Sequence, residues 1–243
     1  MSLALFLVDV LPATGAYRLA GAEGHHAADV QRLRVGERLL LGDGAGGVAE
    51  CVVDAAGKGF LDLRVESTVR TPTPAPALVV AQGLAKGERS ELAVQAMTEV
   101  GVDAVVPWQA TRSVVRWRGE RGEKARQRWV SVAREAAKQS RRAYLPEVAG
   151  CVDTPALAAR LGSAAAGFVL HEEATVPLTA VDLPAAGEVL LVVGPEGGID
   201  PAELAAFTAA GAVPVRLGTA VLRTSTAGVA ALAVLNARTG RWS

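Results

Sequence analysis

The chain has 243 residues, half of them apolar and 21% charged, with 25 Lys and Arg set against 25 Asp and Glu. Such a composition excludes intrinsically disordered, collagen-like and mucin-like chains, and the length allows one large domain or two modest ones. Two cysteines, Cys51 and Cys151, stand far apart with no C-x-x-C pair and no Cys/His cluster. Neither a disulfide framework nor a metal site is expected, and a reducing cytoplasm is the expected location.

The opening apolar run, Leu3 to Val8, has no Lys or Arg before it and stops at Asp9, which predicts a first strand rather than a signal peptide. Further strands are predicted at Glu37–Leu41, Gly47–Val53 and Phe60–Glu66, with Gly42-Asp43-Gly44 and Gly57-Lys58-Gly59 as turns. A short helix is expected over 24–33. Together these predict a small β-barrel domain over 1–70. The alternating prolines of Thr71-Pro72-Thr73-Pro74-Ala75-Pro76 cannot continue a sheet and predict a stiff linker over 71–76.

From 77 to 243 the texture changes. Strands at 77–81, 103–107, 167–170, 189–193 and 213–216 alternate with helices at 87–100, 122–142, 154–161, 201–210 and 225–238. That alternation predicts an α/β domain with a mostly parallel sheet covered on both faces. The last helix, small and apolar from Thr226 to Ala237, has no polar face, so burial on more than one side is expected. A second subunit, in a homodimer, is one way to supply it. No charge-free window reaches the about 20 apolar residues of a membrane span, so no membrane partner is expected.

The balanced charge is an average. Residues 71–150 hold 13 basic and 8 acidic side chains, whereas both flanking thirds are slightly acidic. Within 112–142, Arg112, Arg116, Arg118, Arg121, Lys124, Arg126, Arg128, Arg134, Lys138, Arg141 and Arg142 face only Glu120, Glu123 and Glu135. Too few acids are present to pair them, and Trp117 and Trp129 lie among them. This predicts a phosphate-backbone surface, with Arg favouring bidentate contacts. A solvated helix face is the alternative.

Two loops carry chemistry. After the buried run Val189–Val193 comes Gly194-Pro195-Glu196-Gly197-Gly198, then Asp200-Pro201-Ala202-Glu203, a helix start with a capping box. The loop is neither G-x-G-x-x-G nor a P-loop. After Val213–Leu217 comes Gly218-Thr219-Ala220-Val221-Leu222-Arg223-Thr224-Ser225-Thr226-Ala227-Gly228, a short loop ending in a helix start rich in hydroxyls. Two such loops at the carboxyl ends of successive parallel strands predict a cleft for a small molecule.

These two loops resemble those of the bacterial 16S ribosomal RNA uridine-N3 methyltransferase family of the SPOUT superfamily. Lys86-Gly87-Glu88-Arg89, Met97-Thr98-Glu99-Val100-Gly101-Val102, Arg112-Ser113-Val114-Val115 and Glu135-Ala136-Ala137-Lys138-Gln139-Ser140-Arg141-Arg142 with Pro146 look like further segments of it, in order. His25-His26 and Val35-Gly36-Glu37 look like its amino-terminal PUA-like RNA-binding barrel. Two departures stand out: the family usually has Glu at the Ser225 position and commonly Gly at Arg141.

The resemblance implies S-adenosylmethionine as methyl donor, a carboxyl-terminal trefoil knot, and a homodimer. It also implies methylation at N3 of a uridine in the decoding region of 16S ribosomal RNA, within the small ribosomal subunit. Leu170, Gly194, Pro195, Glu196, Gly197, Gly198, Leu217, Gly218, Val221, Leu222 and Thr226 are then expected to hold the donor. Arg223 or Arg142 is expected to stabilise the uracil anion and Glu196 to accept a proton or touch the donor. Arg112, Arg116, Arg118, Arg126, Gln139, Arg141 and Arg142 are expected on RNA. A competing reading is a non-catalytic RNA-binding ribosome assembly factor that keeps the fold.

Overall fold

The structure is a computed structural model that describes residues 3–242. It divides into two compact units, one built from the residues up to Thr73 with Ala137–Leu145, the other from Pro74–Ala136 with the residues from Pro146 onward.

The first unit contains β1 (Leu5–Leu7), β2 (Gly15–Leu19), α1 (Gly21–His25), β3 (Arg38–Gly42), β4 (Gly47–Gly57) and β5 (Phe60–Arg70). They form a five-stranded sheet in the order β1-β3-β4-β5-β2, antiparallel except for the β1–β3 pair. Side chains alternate along β4 and β5 as a half-buried sheet requires. Ala49, Cys51, Val53, Leu61, Leu63 and Val65 join Phe6, Leu39 and Leu41 in one core. Burial holds the Cys51 thiol up to about 11, so it stays a protonated packing residue.

Two expectations differ from the structure here, and one strand was not expected. The helix expected over 24–33 is the five-residue α1 followed by one π-helical turn, His26–Val30. Strand β2 carried no alternating signal because it lies at the sheet edge, mostly exposed. There Arg18 is occupied by a bidentate pair with Asp62 and by stacking over the Phe60 ring at 4.3 Å. Residues 137–145 join this unit instead of the later one. Gly46 N donates to Ala143 O at 2.9 Å, Leu145 N to Gly44 O at 3.0 Å, and Tyr144 OH to Thr71 O at 2.9 Å. Buried Lys138 pairs with Glu23 at 3.1 Å.

The second unit holds β6 (Ala77–Gly83), β7 (Ala104–Trp108), β8 (Glu147–Val148), β9 (Ala166–Leu170), β10 (Val176–Pro177), β11 (Glu188–Val193) and β12 (Val213–Arg216). All pair in parallel, in the order β10-β12-β9-β11-β6-β7-β8. Its helices are α2 (Arg89–Glu99), α3 (Gly119–Gln139), α4 (Thr154–Ser163), α5 (Pro201–Ala209) and α6 (Thr224–Arg238). Strands β8 and β10, two residues each, are too short for any periodicity to register.

Alternate residues of β6 and β11 go to opposite cores, the mark of a sheet buried on both faces. Leu78, Val80, Val189 and Leu191 pack with Val94 and Met97 of α2, Trp129 and Ala133 of α3, and Ala231, Leu232 and Leu235 of α6. Val79, Ala81, Leu190 and Val192 pack with Leu157 and Leu161 of α4 and Phe207 of α5. Helix α6 thus buries most of its small apolar surface within its own unit. Among the described residues no helix is long and apolar enough to cross a membrane.

Helix α3 stops three residues before the expected 142. Arg142 N reaches back to Ala137 O at 2.9 Å and Arg141 N to Lys138 O at 3.1 Å, with Arg141 at φ 53°. This is a Schellman termination in which the left-handed position normally falls to glycine. This chain holds an arginine in that position.

Candidate functional site

Strand β11 is apolar and buried on both faces, so it delivers Gly194 to the sheet's carboxyl edge rigidly. The chain then turns through Pro195–Ile199, with Gly198 at φ 74° and its N–H donating to Pro195 O at 2.9 Å. The expected capping box is present: Asp200 accepts from Ala202 N at 3.0 Å and Glu203 accepts from Asp200 N at 3.1 Å. A side chain at Gly194 would collide with Ile199 Cγ1 at 2.8 Å, so the backbone there stays bare.

Strand β12 ends at Arg216, and the second loop runs over 217–223 into α6. Thr224, the first helical residue, is buried, and its Oγ1 donates to Gly194 O at 2.8 Å. The two loops are therefore joined side chain to backbone. With the turn that follows β9, they enclose a cleft of about 640 Å³.

Ten of the eleven expected donor-site residues line this cleft: Leu170, Gly194, Pro195, Glu196, Gly197, Gly198, Leu217, Gly218, Val221 and Leu222. Thr226 does not. It lies exposed one turn into α6, where its hydroxyl donates to Arg223 O at 3.2 Å; the cleft-lining hydroxyl is that of Thr224. Arg223 lines the cleft, and its guanidinium makes no ion pair among the described residues. Arg142 belongs to the other unit and is not among the lining residues. His171 lines the cleft too, its Nδ1 accepting from Glu173 N at 3.2 Å.

Two arginines and one backbone amide close the first loop. Arg89 Nη1 and Lys86 N both approach Glu196 Oε1, at 3.2 and 3.1 Å, so this carboxylate ties the start of α2 to the loop. Arg112, expected on RNA, lies over the loop, with Nη1 at 3.4 Å from Gly197 O and Nη2 at 3.3 Å from Asp200 Oδ2. The buried Glu203 fixes the segment carrying it. Its Oε1 accepts from Thr111 N, Thr111 Oγ1 and Thr154 Oγ1 at 2.8, 2.9 and 2.7 Å. No local sequence signal marks Glu203 as such a hub, because its partners lie 49 and 92 residues away.

The remaining basic residues divide by environment. Arg116 donates to Thr111 O at 3.3 Å. Arg126 is locked by Glu123 and by Val148 O at 2.9 Å; its guanidinium holds the Glu123 carboxyl down at about 2, helped by Gln127. Arg118, Arg121, Lys124 and Arg141 are exposed and make no ion pair among the described residues, and Gln139 is exposed as well. Arg121, Lys124 and Arg128 recur at helical spacing on the solvent side of α3, away from Trp129 and Ala133. Trp117 and Trp129 meet edge to face at 4.9 Å, with Trp129 in the core, which leaves that ring unavailable to a base.

Residues 71–236 match a family model described as RNA methyltransferase domain, and residues 19–66 one described as RNA methyltransferase PUA domain. The ribosomal RNA small subunit methyltransferase E of Mycobacterium tuberculosis is 52% identical, over 98% of this chain and 93% of that one. That of Bacillus subtilis is 32% identical over 92% and 90%. A Legionella pneumophila methyltransferase, solved in complex with the bound cofactor SAM, superposes with a TM-score of 0.84 at 27% identity, covering 98% of each chain. The fold, the paired loops on the sheet's carboxyl edge and these likenesses agree: the chain belongs to the ribosomal RNA small subunit methyltransferase E family.

Proposed function

We propose that this protein transfers a methyl group from S-adenosylmethionine to N3 of a uridine in 16S ribosomal RNA. The observation that carries the reading is the cleft itself, walled by two loops that the Thr224 hydroxyl joins. Its volume suits one cofactor-sized ligand. Gly194 lines the cleft, and Leu170, Leu217, Val221 and Leu222 offer apolar walls for a nucleoside. When bound there, S-adenosylmethionine supplies an electrophilic methyl group on its sulfonium.

The chain's own residues then have two tasks. The loops hold donor and acceptor in line, from which most of the rate derives. Arg223, lining the cleft with a guanidinium that makes no ion pair among the described residues, stabilises the negative charge that develops on O2 or O4 as uracil N3 loses its proton. Glu196 is assigned to holding Lys86 and Arg89 against the first loop; acting as proton acceptor would require its release from both.

RNA is held by the exposed cations of each unit, Arg118, Arg121 and Lys124 on one and Arg141 on the other. We also propose that the protein works as a homodimer in the cytoplasm and that its carboxyl-terminal chain is knotted. The strand order supports a knot, since β12 crosses beyond β9 while α6 returns to pack on β6 and α2.

Titration calorimetry with S-adenosylmethionine, S-adenosylhomocysteine and NAD tests the cleft. Binding of the first two without NAD is the expected result. Retained RNA binding with no affinity for either sulfur nucleoside would leave only a non-catalytic assembly factor.

A further inference from the structure

Gln82, the penultimate residue of the buried strand β6, is fully buried and is absent from the cleft lining. Its Nε2 donates to Thr224 Oγ1 at 2.9 Å and lies 3.2 and 3.4 Å from the carbonyls of Gly83 and Thr224. The Thr224 hydroxyl in turn donates to Gly194 O at 2.8 Å. A carbonyl can only accept, so the hydroxyl proton is committed to Gly194, and the hydroxyl oxygen must accept from Gln82. The amide is thereby oriented, nitrogen toward Thr224.

That orientation has a cost. Gln82 Oε1 is buried with no hydrogen-bond partner. Reversing the amide would bring its oxygen against two carbonyls and leave the hydroxyl without a donor. An apolar side chain of the same shape would remove the stranded acceptor altogether, so core filling does not explain a glutamine here. The neighbouring Gly83 points the same way: a Cβ there would lie 2.6 Å from Pro195 N and 2.9 Å from Gly194 C. The end of β6 presses directly on the first loop.

We propose that Gln82 is a positioning residue for the methyl-donor site: its amide, acting through the Thr224 hydroxyl on the Gly194 carbonyl, sets the separation of the two loops that wall the cleft. The inference rests on the reading of that cleft as the donor site. The groups that meet the Gln82 amide, the Gly83 carbonyl and the Thr224 carbonyl and hydroxyl, do not titrate, nor does the Gly194 carbonyl beyond them.

The test is calorimetric titration of the full chain with S-adenosylhomocysteine between pH 5 and 8, each variant's affinity divided by that of wild type at the same pH. The ratio cancels whatever pH dependence the variant shares with wild type. Gln82→Met and Thr224→Val each lose about fivefold or more, the double variant loses no more than the worse single one, and Thr224→Ser binds like wild type. Gln82→Glu carries the distinguishing signature. Its carboxylate would face three oxygens, so only the protonated form completes the relay, and its relative affinity recovers as pH falls; Gln82→Met shows no such recovery.

Variants that melt earlier but bind as wild type make Gln82 merely structural and overturn the proposal, as does a pH-independent Gln82→Glu. Should the Gln82 variants not fold, the Thr224→Ser and Thr224→Val pair decides, and equal affinity overturns it. Absence of binding by wild type removes the donor-site reading and this inference with it; binding by wild type with unchanged variants removes only the inference.

Discussion

Arg112 spans the first glycine loop, its guanidinium 3.4 Å from Gly197 O and 3.3 Å from Asp200 Oδ2. A residue that composition assigns to RNA is thus held against the wall of the cleft. Arg112→Ala is expected to weaken S-adenosylhomocysteine binding two- to fivefold, the size of a half-exposed charged contact. Its effect on the salt dependence of RNA binding should be small. Lys should not rescue it, because one ammonium cannot reach both oxygens in the planar geometry of the fork. Calorimetry and a filter-binding salt series separate the two effects.

Glu203 collects four donors from three segments in a buried site. Glu203→Ala leaves those donors unsatisfied and is expected to cost about 3 kcal/mol of stability. Hydrogen exchange should show the loss spreading from α5 to Thr111 and Thr154. Local protection loss confined to α5 would mean that the capping box, and not the hub, is what Glu203 supplies.

Arg141 sits at φ 53° in the turn that ends α3. Replacing it by glycine relieves a left-handed side chain and should raise stability by about 1 kcal/mol. The same change removes an exposed cation and should lower RNA affinity. Thermal unfolding and RNA titration of one variant therefore move in opposite directions. A variant neutral in both would deny Arg141 any part in RNA binding.

The exposed cations of α3 should set the salt dependence of RNA affinity. Arg121→Ala and Lys124→Ala are each expected to flatten the slope of log K against log salt by about 0.7–0.9. Glu123→Gln should steepen it by a similar amount. The Glu123 carboxyl, held down at about 2 by Arg126, stays charged at any working pH, so its charge cancels that of Arg126 until it is removed. Because a depressed carboxyl keeps its charge until pH falls toward its own value, this cancellation should persist in RNA titrations at pH 5 as at pH 8.

The sheet's central strands and the two glycine loops were legible because both leave local signatures: continuous apolar runs for β6 and β11, and glycines, a proline and a capping box beside them. What failed was non-local or short. Edge strand β2 and the two-residue β8 and β10 have no periodicity to read. The end of α3 is set by a left-handed arginine that looks like one more charge in a helix. Two motifs and one strand end point to ten residues that line the cleft, but Gln82, Glu203 and the placement of Arg112 depend on partners scores of residues away. The hydroxyl cluster does not itself reveal that Thr224, and not Thr226, faces inward.

The central claim is that this cleft performs methyl transfer to a uridine of ribosomal RNA, and nucleoside mass spectrometry tests it most directly. Small ribosomal subunits from a strain lacking the gene are incubated with the protein and S-adenosylmethionine, and their RNA is digested. N3-methyluridine should appear with wild type and fall on the order of 100-fold or more in rate with Arg223→Ala. No N3-methyluridine from the wild-type protein, or an unchanged rate with Arg223→Ala, would contradict respectively the reaction and the role given to its cleft-lining arginine.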